Sequence, residues 1–186
     1  EKSDVFIDVV SFSWQGTNKT FNEFLIKGSL IGEGTNFAKD LINEPANIVN
    51  PEYFEREAKS LAKNSAVSLK VFNYKDLEKL GLNLILSVGK GSSCPPRMLV
   101  LDYKGSSKKP EYVFVGKGIT FDTGGYNLKP TGFMEEMKMD MSGAAAVLGT
   151  LKTLILLKSK ISASFIIPLA ENMVSSKAYR PSDIIK

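Results

Sequence analysis

The chain has 186 residues, 43% of them hydrophobic and 24% charged, with a formal net charge of +4 and a single cysteine. That composition supports one buried core, and the absence of any histidine excludes Ser-His-Asp and Cys-His catalysis and every histidine-based zinc site from within the chain. The positive charge comes almost wholly from lysine, the only arginines being Arg56, Arg97 and Arg180, which weakens a nucleic-acid reading because such faces cluster arginine among aromatics.

In chain order, V-F-I-D-V-V-S-F near the start reads as a short strand and W-Q-G-T-N-K-T as a loop. The start is acidic and its apolar run is broken by Asp8, unlike a signal peptide. From Phe21 to Leu41 the apolar residues Phe21, Phe24, Leu25, Phe37 and Leu41 keep helical spacing, with Gly28, Gly32 and Gly34 marking weak points or close packing. A second helix starts where Asn50 serves as N-cap, Pro51 fills the first position and Glu52 favours the positive end of the dipole. It should close near Asn64, followed by a strand from Val67 to Tyr74 and a short helix from Lys75 to Leu80.

Three apolar segments come next, Asn83 to Val88, Arg97 to Tyr103 and Tyr112 to Val115, all read as strands apolar enough to be buried on both faces. Lys104 to Lys109 reads as a solvated turn, with phosphate binding as its functional alternative. Gly143 to Leu157 is a largely interior helix, carrying Lys152 and too short for the roughly 20 residues of a bilayer span. Ala163 to Leu169 returns as a buried strand. The pattern is α/β: a three-layer α/β/α fold with a largely buried mixed sheet. Residues 1–45 read as an N-terminal segment with a connecting helix, and residues 46–186 as the α/β domain. A soluble, cytoplasmic protein is expected, and Cys94, without a disulfide partner, reads as a structural thiol in a reducing interior.

The tetrapeptide V-G-K-G occurs twice, at Val88 to Gly91 and Val115 to Gly118, each placed at a strand end. Neither is a P-loop, since Leu84 and Glu111 stand where that motif needs its first glycine. Only the second copy is followed closely by an aspartate, Asp122, and then by Thr123-Gly124-Gly125, which lets the chain turn with positive φ. Lys129 precedes Pro130 and so projects from a stiffened, extended loop. Asp140, between Met139 and Met141, is a carboxylate expensive to bury without a cation or donor. Lys117, Asp122, Lys129 and Asp140 thus gather two amines and two carboxylates that can hold hard divalent cations and polarise a carbonyl.

These motifs, V-G-K-G-I-T-F-D-T-G-G, N-L-K-P and E-M-K-M-D-M-S-G-A-A-A-V-L-G-T, resemble the leucyl aminopeptidase family of di-metal cytosolic exopeptidases. The likeness extends to L-I-N-E-P-A-N, V-G-K-G-S-S-C-P-P-R-M-L-V-L-D-Y, P-L-A-E-N-M and A-Y-R-P-S-D-I-I-K. It implies that Lys117 binds metal through a neutral amine, that Asp122 bridges two cations, and that Asp140 binds one cation and the substrate's α-amino group. Lys129 then faces the scissile carbonyl as an electrophile beside a metal-bridged hydroxide, and Met137 lines a pocket favouring leucine-like residues. The cations implied are zinc, manganese, magnesium or cobalt, the substrates peptides, and the assembly a homo-hexamer.

A lysine can donate a lone pair only after losing its proton, so the metal's charge and partial burial should favour that loss, and metal loading should rise with pH. The family's N-T-D-A-E-G-R segment, which supplies two further acidic ligands and an arginine holding a bicarbonate base, would follow Lys186. The resemblance therefore implies the connecting helix and the first half of a catalytic domain. A non-catalytic binding or assembly subunit is the alternative, and a DNA-binding role rests only on the basic charge.

Overall fold

A computed structural model describes residues 10, 11, 13 and 19–186. Apart from Val10 and Ser11, the strand expected over V-F-I-D-V-V-S-F lies outside these residues, as do residues 14–18 of the expected loop W-Q-G-T-N-K-T, whose last two residues, Lys19 and Thr20, instead open a helix. Helix α1 (Lys19–Asn43) is continuous. Of its three glycines only Gly34 marks close packing: a Cβ there would stand 1.9 Å from Thr153 Oγ1 and 2.8 Å from Gly149 O, whereas none would meet an atom at Gly28 or Gly32. Helix α2 (Pro51–Leu61) begins as its sequence dictates, the Asn50 side chain accepting from the Glu52 and Tyr53 amides at 3.0 and 2.9 Å.

Strand β1 (Val67–Phe72) leads to helix α3 (Tyr74–Lys79), whose start is fixed by a reciprocal capping box between Asn73 and Asp76. The segment expected to be the next strand is instead helix α4 (Asn83–Gly89). Its apolar run N-L-I-L-S-V-G suits either state; Leu86 and Gly89 are buried while Leu84 is 74% exposed, a one-sided pattern that a strand buried on both faces would not give. The first V-G-K-G therefore ends a helix, not a strand.

Strands β2 (Arg97–Tyr103), β3 (Tyr112–Val115) and β4 (Gly118–Asp122), helix α5 (Ser142–Leu156) and strand β5 (Ala163–Asn172) complete the elements. β4 is a strand where sequence reading placed only a loop. The sheet is mixed, in the order β1-β2-β5-β3, with β1 and β2 antiparallel to their neighbours and β3 and β4 lying end to end, both parallel to β5.

One sheet face is packed throughout. Leu99, Leu101, Phe165, Ile167 and Leu169 meet Phe54, Ala58, Leu41 and the α5 residues Ala144, Ala145, Leu148 and Leu151, all buried. Fully burying such a large apolar side chain contributes about 1.5–3 kcal/mol. On the other face α3 and α4 complete the third layer, α4 reaching Pro168 and Ala170. That cover is partial: Val113 and Val115 on β3 are 57% and 67% exposed, so the strands are not all buried on both faces as expected. The Lys104 to Lys109 loop is solvated and organised by Ser162, whose Oγ accepts from the Gly105 and Ser107 amides at 3.0 and 3.2 Å. Burial pushes the half-buried Cys94 thiol up, in keeping with an unreactive group. No helix among the described residues is long and apolar enough to cross a membrane.

Candidate metal centre

Lys117 occupies the break between β3 and β4. The chain is held there by α5, whose first turn has no side-chain cap; instead the Ala144 amide donates to Lys117 O at 2.9 Å. So close an approach requires bare backbone on both sides. A Cβ on Gly116 would stand 2.6 Å from Gly143 O, and one on Gly143 would stand 3.0 Å from Lys117 N.

β4 then pairs Ile119 with Ala170 and Asp122 with Asn172, so three steps along β4 match two along β5. This bulge re-aims the strand end and sets Asp122 beside Asn172. Beyond it Gly124 and Gly125 both have positive φ, 86° and 62°, and the Gly124 amide donates to Asp122 Oδ1 at 2.9 Å. The loop returns when the Lys129 amide donates to Thr123 O at 2.9 Å, which brings Lys129 Nζ onto Asp122 Oδ2.

Met137, half-buried, opens a single 3-10 turn (Met137–Met139) that packs against β4 and is capped by Asp140. Lys138 ties this turn to α1 by donating to Asn43 O at 2.6 Å. Lys117 Nζ reaches Asp140 Oδ1 at 2.6 Å. All five residues predicted from sequence therefore stand on or beside β4, with the four charged ones joined as two pairs, Lys117 with Asp140 and Lys129 with Asp122. Met139 is 38% exposed while Met141 is buried, so the expected apolar flanking of Asp140 is one-sided.

Burial alone would push the Asp122 carboxyl up, but hydrogen bonds from Lys129, the Gly124 amide and Asn172, with the charge of Lys129, outweigh it and hold Asp122 below the usual carboxylate range. Asp122 is thus an anion. Asp140 has one oxygen on Lys117, while its buried Oδ2 has no hydrogen-bond partner among the described residues. Lys117 is 62% exposed, so the partial burial expected of it is slight.

A hard divalent cation fits this donor set. Two carboxylates and an amine are suitable ligands, and the orphaned Asp140 Oδ2 is the type of buried acceptor that a cation satisfies. Among the described residues no three His, Cys, Asp or Glu gather as a self-sufficient site, so Asp122 and Asp140 would make only part of a coordination sphere. An open apolar groove of about 370 Å³ runs beside Lys117, lined by Leu84, Val88, Val115, Ile119 and Pro168. Sequence reading missed Asn172, which donates to Asp122 Oδ1 at 2.7 Å. Its signal was an asparagine ending an apolar strand, a setting where that residue is depleted.

Residues 36–186 match the model of the cytosol aminopeptidase family, catalytic domain. The chain is 44% identical over 170 residues to a probable cytosol aminopeptidase of Aquifex aeolicus (strain VF5), covering 91% of this chain and 34% of that protein. It is 45% identical over 165 residues to the corresponding protein of Sulfurihydrogenibium sp. (strain YO3AOP1), covering 89% of this chain and 33% of the relative. Among solved structures, the bottromycin maturation enzyme BotP in complex with Mn superposes with a TM-score of 0.80 at 37% identity, over 88% of this chain and 36% of that one. The chain thus spans about a third of the length of the curated relatives it matches.

Proposed function

The chain belongs to the cytosol aminopeptidase family, and from that premise we propose that the intact protein is a metal-dependent aminopeptidase releasing N-terminal, leucine-like residues from peptides. The observation that carries this reading is the buried Asp140 Oδ2, unpartnered among the described residues, on a carboxylate whose other oxygen is held by Lys117.

Lys117, Asp122 and Asp140 are the residues proposed to hold two divalent cations, drawn from zinc, manganese, magnesium or cobalt, with further acidic ligands supplied from outside this chain. Bound there, the cations supply Lewis acidity for polarising the scissile carbonyl and lowering the pKa of the attacking water. Asp140 also accepts from the substrate's free α-ammonium, which selects chains with an unblocked N-terminus. Lys129, on a loop pinned by its own amide to Thr123 O, donates from Nζ to the developing oxyanion. Met137 contacts the N-terminal side chain of the substrate. Residues 1–45 serve as an N-terminal segment and connecting helix and 46–186 as part of the catalytic domain, in a cytoplasmic homo-hexamer whose bicarbonate base is held by residues outside this chain.

The test is release of leucine from N-terminally unblocked peptides by the intact protein, before and after chelation and after re-addition of each cation. Activity abolished by chelation, restored by at least one cation and absent on N-acetylated peptides is expected. Undiminished hydrolysis after complete metal removal, or equal hydrolysis of blocked peptides, would contradict the proposal.

A further inference from the structure

Asn172 closes β5 and is 6% exposed, yet only one end of its amide is satisfied. Nδ2 donates to Asp122 Oδ1 at 2.7 Å, while the buried Oδ1 has no hydrogen-bond partner among the described residues. The orientation of this amide is chemically fixed, because an ionised carboxylate accepts and cannot donate. Oδ1 therefore faces away from Asp122, toward the glycine turn, where a Cβ on Gly125 would stand 3.1 Å from it. An unsatisfied buried carbonyl costs stability, so this side chain is not what packing alone would select.

Nor is it needed to pair the strands. The Thr123 amide and hydroxyl already donate to the Asn172 backbone oxygen, at 2.9 and 2.8 Å. What the side chain adds is directed at one atom. Asp122 Oδ1 receives both Asn172 Nδ2 and the Gly124 amide, whereas Oδ2 receives Lys129 alone among the described residues.

We propose that Asn172 is a positioning residue of the metal centre. It pins Asp122 Oδ1, fixes the plane of the carboxylate together with the Gly124 amide, and leaves Oδ2 as the oxygen turned toward Lys129 and the cation. The β4 bulge is what makes this possible, since it brings Asp122 into register with Asn172. The inference rests on the reading of Asp122 as a metal ligand, and partners behind a ligand typically set metal affinity within a factor of about 10–100.

The experiment is titration of the metal-free intact protein with Mn(II), followed by electron paramagnetic resonance, for wild type, Asn172→Leu, Asn172→Ala and Asp122→Asn. Leucine keeps much of the shape of asparagine without the donor, and alanine removes both. Both Asn172 variants should weaken Mn(II) binding about 10–100-fold, with metal-free melting temperatures close to wild type. Wild-type affinity in both, weakening in Asn172→Ala alone, or loss of the metal-free fold in both would overturn the positioning role. Wild-type affinity in Asp122→Asn would overturn the metal-centre reading itself, a failure distinct from intact binding in the Asn172 variants alone.

Discussion

The tetrapeptide Val-Gly-Lys-Gly stands at two places in this molecule and does different work in each. At Val88 to Gly91 it finishes α4, with Lys90 as the helix C-cap, and both glycines make room for neighbours: a Cβ on Gly89 would stand 2.7 Å from the Pro96 ring, and one on Gly91 2.3 Å from Met173 O. At Val115 to Gly118 it joins β3 to β4, and Gly116 again makes room, here for the backbone at the start of α5. The glycines act alike, admitting backbone or ring where a Cβ would collide. The lysines differ because of what faces them. Lys117 meets Asp140 across a 2.6 Å contact, whereas Lys90 borders a groove with Ser87, Ile184 and Lys186. Four identical residues yield a candidate ligand in one context and a helix terminus in the other, so the chemistry resides in the tertiary partner.

The largest effect should separate the two lysines. Lys117→Ala is expected to weaken metal binding and activity by more than about 100-fold, beyond what loss of a supporting partner costs. Lys90→Ala should leave both unchanged, which parallel metal titrations and leucine-release assays would check.

The glycines sharpen the comparison at the next level. Gly116→Ala and Gly91→Ala should each cost about 1–3 kcal/mol in denaturant unfolding, the usual range for overpacking. Only Gly116→Ala should also weaken metal binding, because it pushes α5 and Lys117 apart. Equal metal affinity in the two variants would break the distinction.

The smallest effect concerns the anchor that follows the first copy. Arg97 ends that loop and is 13% exposed, pairing with Glu55 and Glu52 on α2. Burial alone would push the Glu55 carboxyl up, but hydrogen bonds and charge from Lys59 and Arg97 outweigh it and hold Glu55 below its ordinary value of 4.5. A carboxyl lowered in the folded state contributes stability in full above that ordinary value, and loses it as pH falls through the lowered one. Glu55→Gln should therefore cost about 1–2 kcal/mol near neutral pH. The difference from wild type should close in acid, with metal affinity untouched, as unfolding curves across pH would show.

How much of this was legible in the sequence depends on whether the signal was local. Asn50, Pro51 and Glu52 announced the start of α2 because capping is decided within one turn. Four of the five candidate site residues were named from their types and intervals and Met137 from the family resemblance, and all five lie on or beside β4. Helix α4 was misread because a seven-residue apolar run carries no decisive periodicity, and its state is settled by how Leu86 packs. The β4 bulge and its alignment of Asp122 with Asn172 were invisible, since register is a relation between strands about fifty residues apart in sequence. The open side of β3 was likewise hidden, because Val113 and Val115 look like core residues until their neighbours are known.

The central claim is that Lys117, Asp122 and Asp140 converge on a cation, and anomalous scattering at the manganese edge from crystals of the intact protein grown with Mn(II) tests it most directly. The account predicts manganese within about 2.0–2.4 Å of carboxylate oxygens of both Asp122 and Asp140, with the Lys117 to Asp140 ion pair opened so that Nζ faces the metal. Manganese bound elsewhere, or bound with that ion pair intact at its present 2.6 Å, would contradict it.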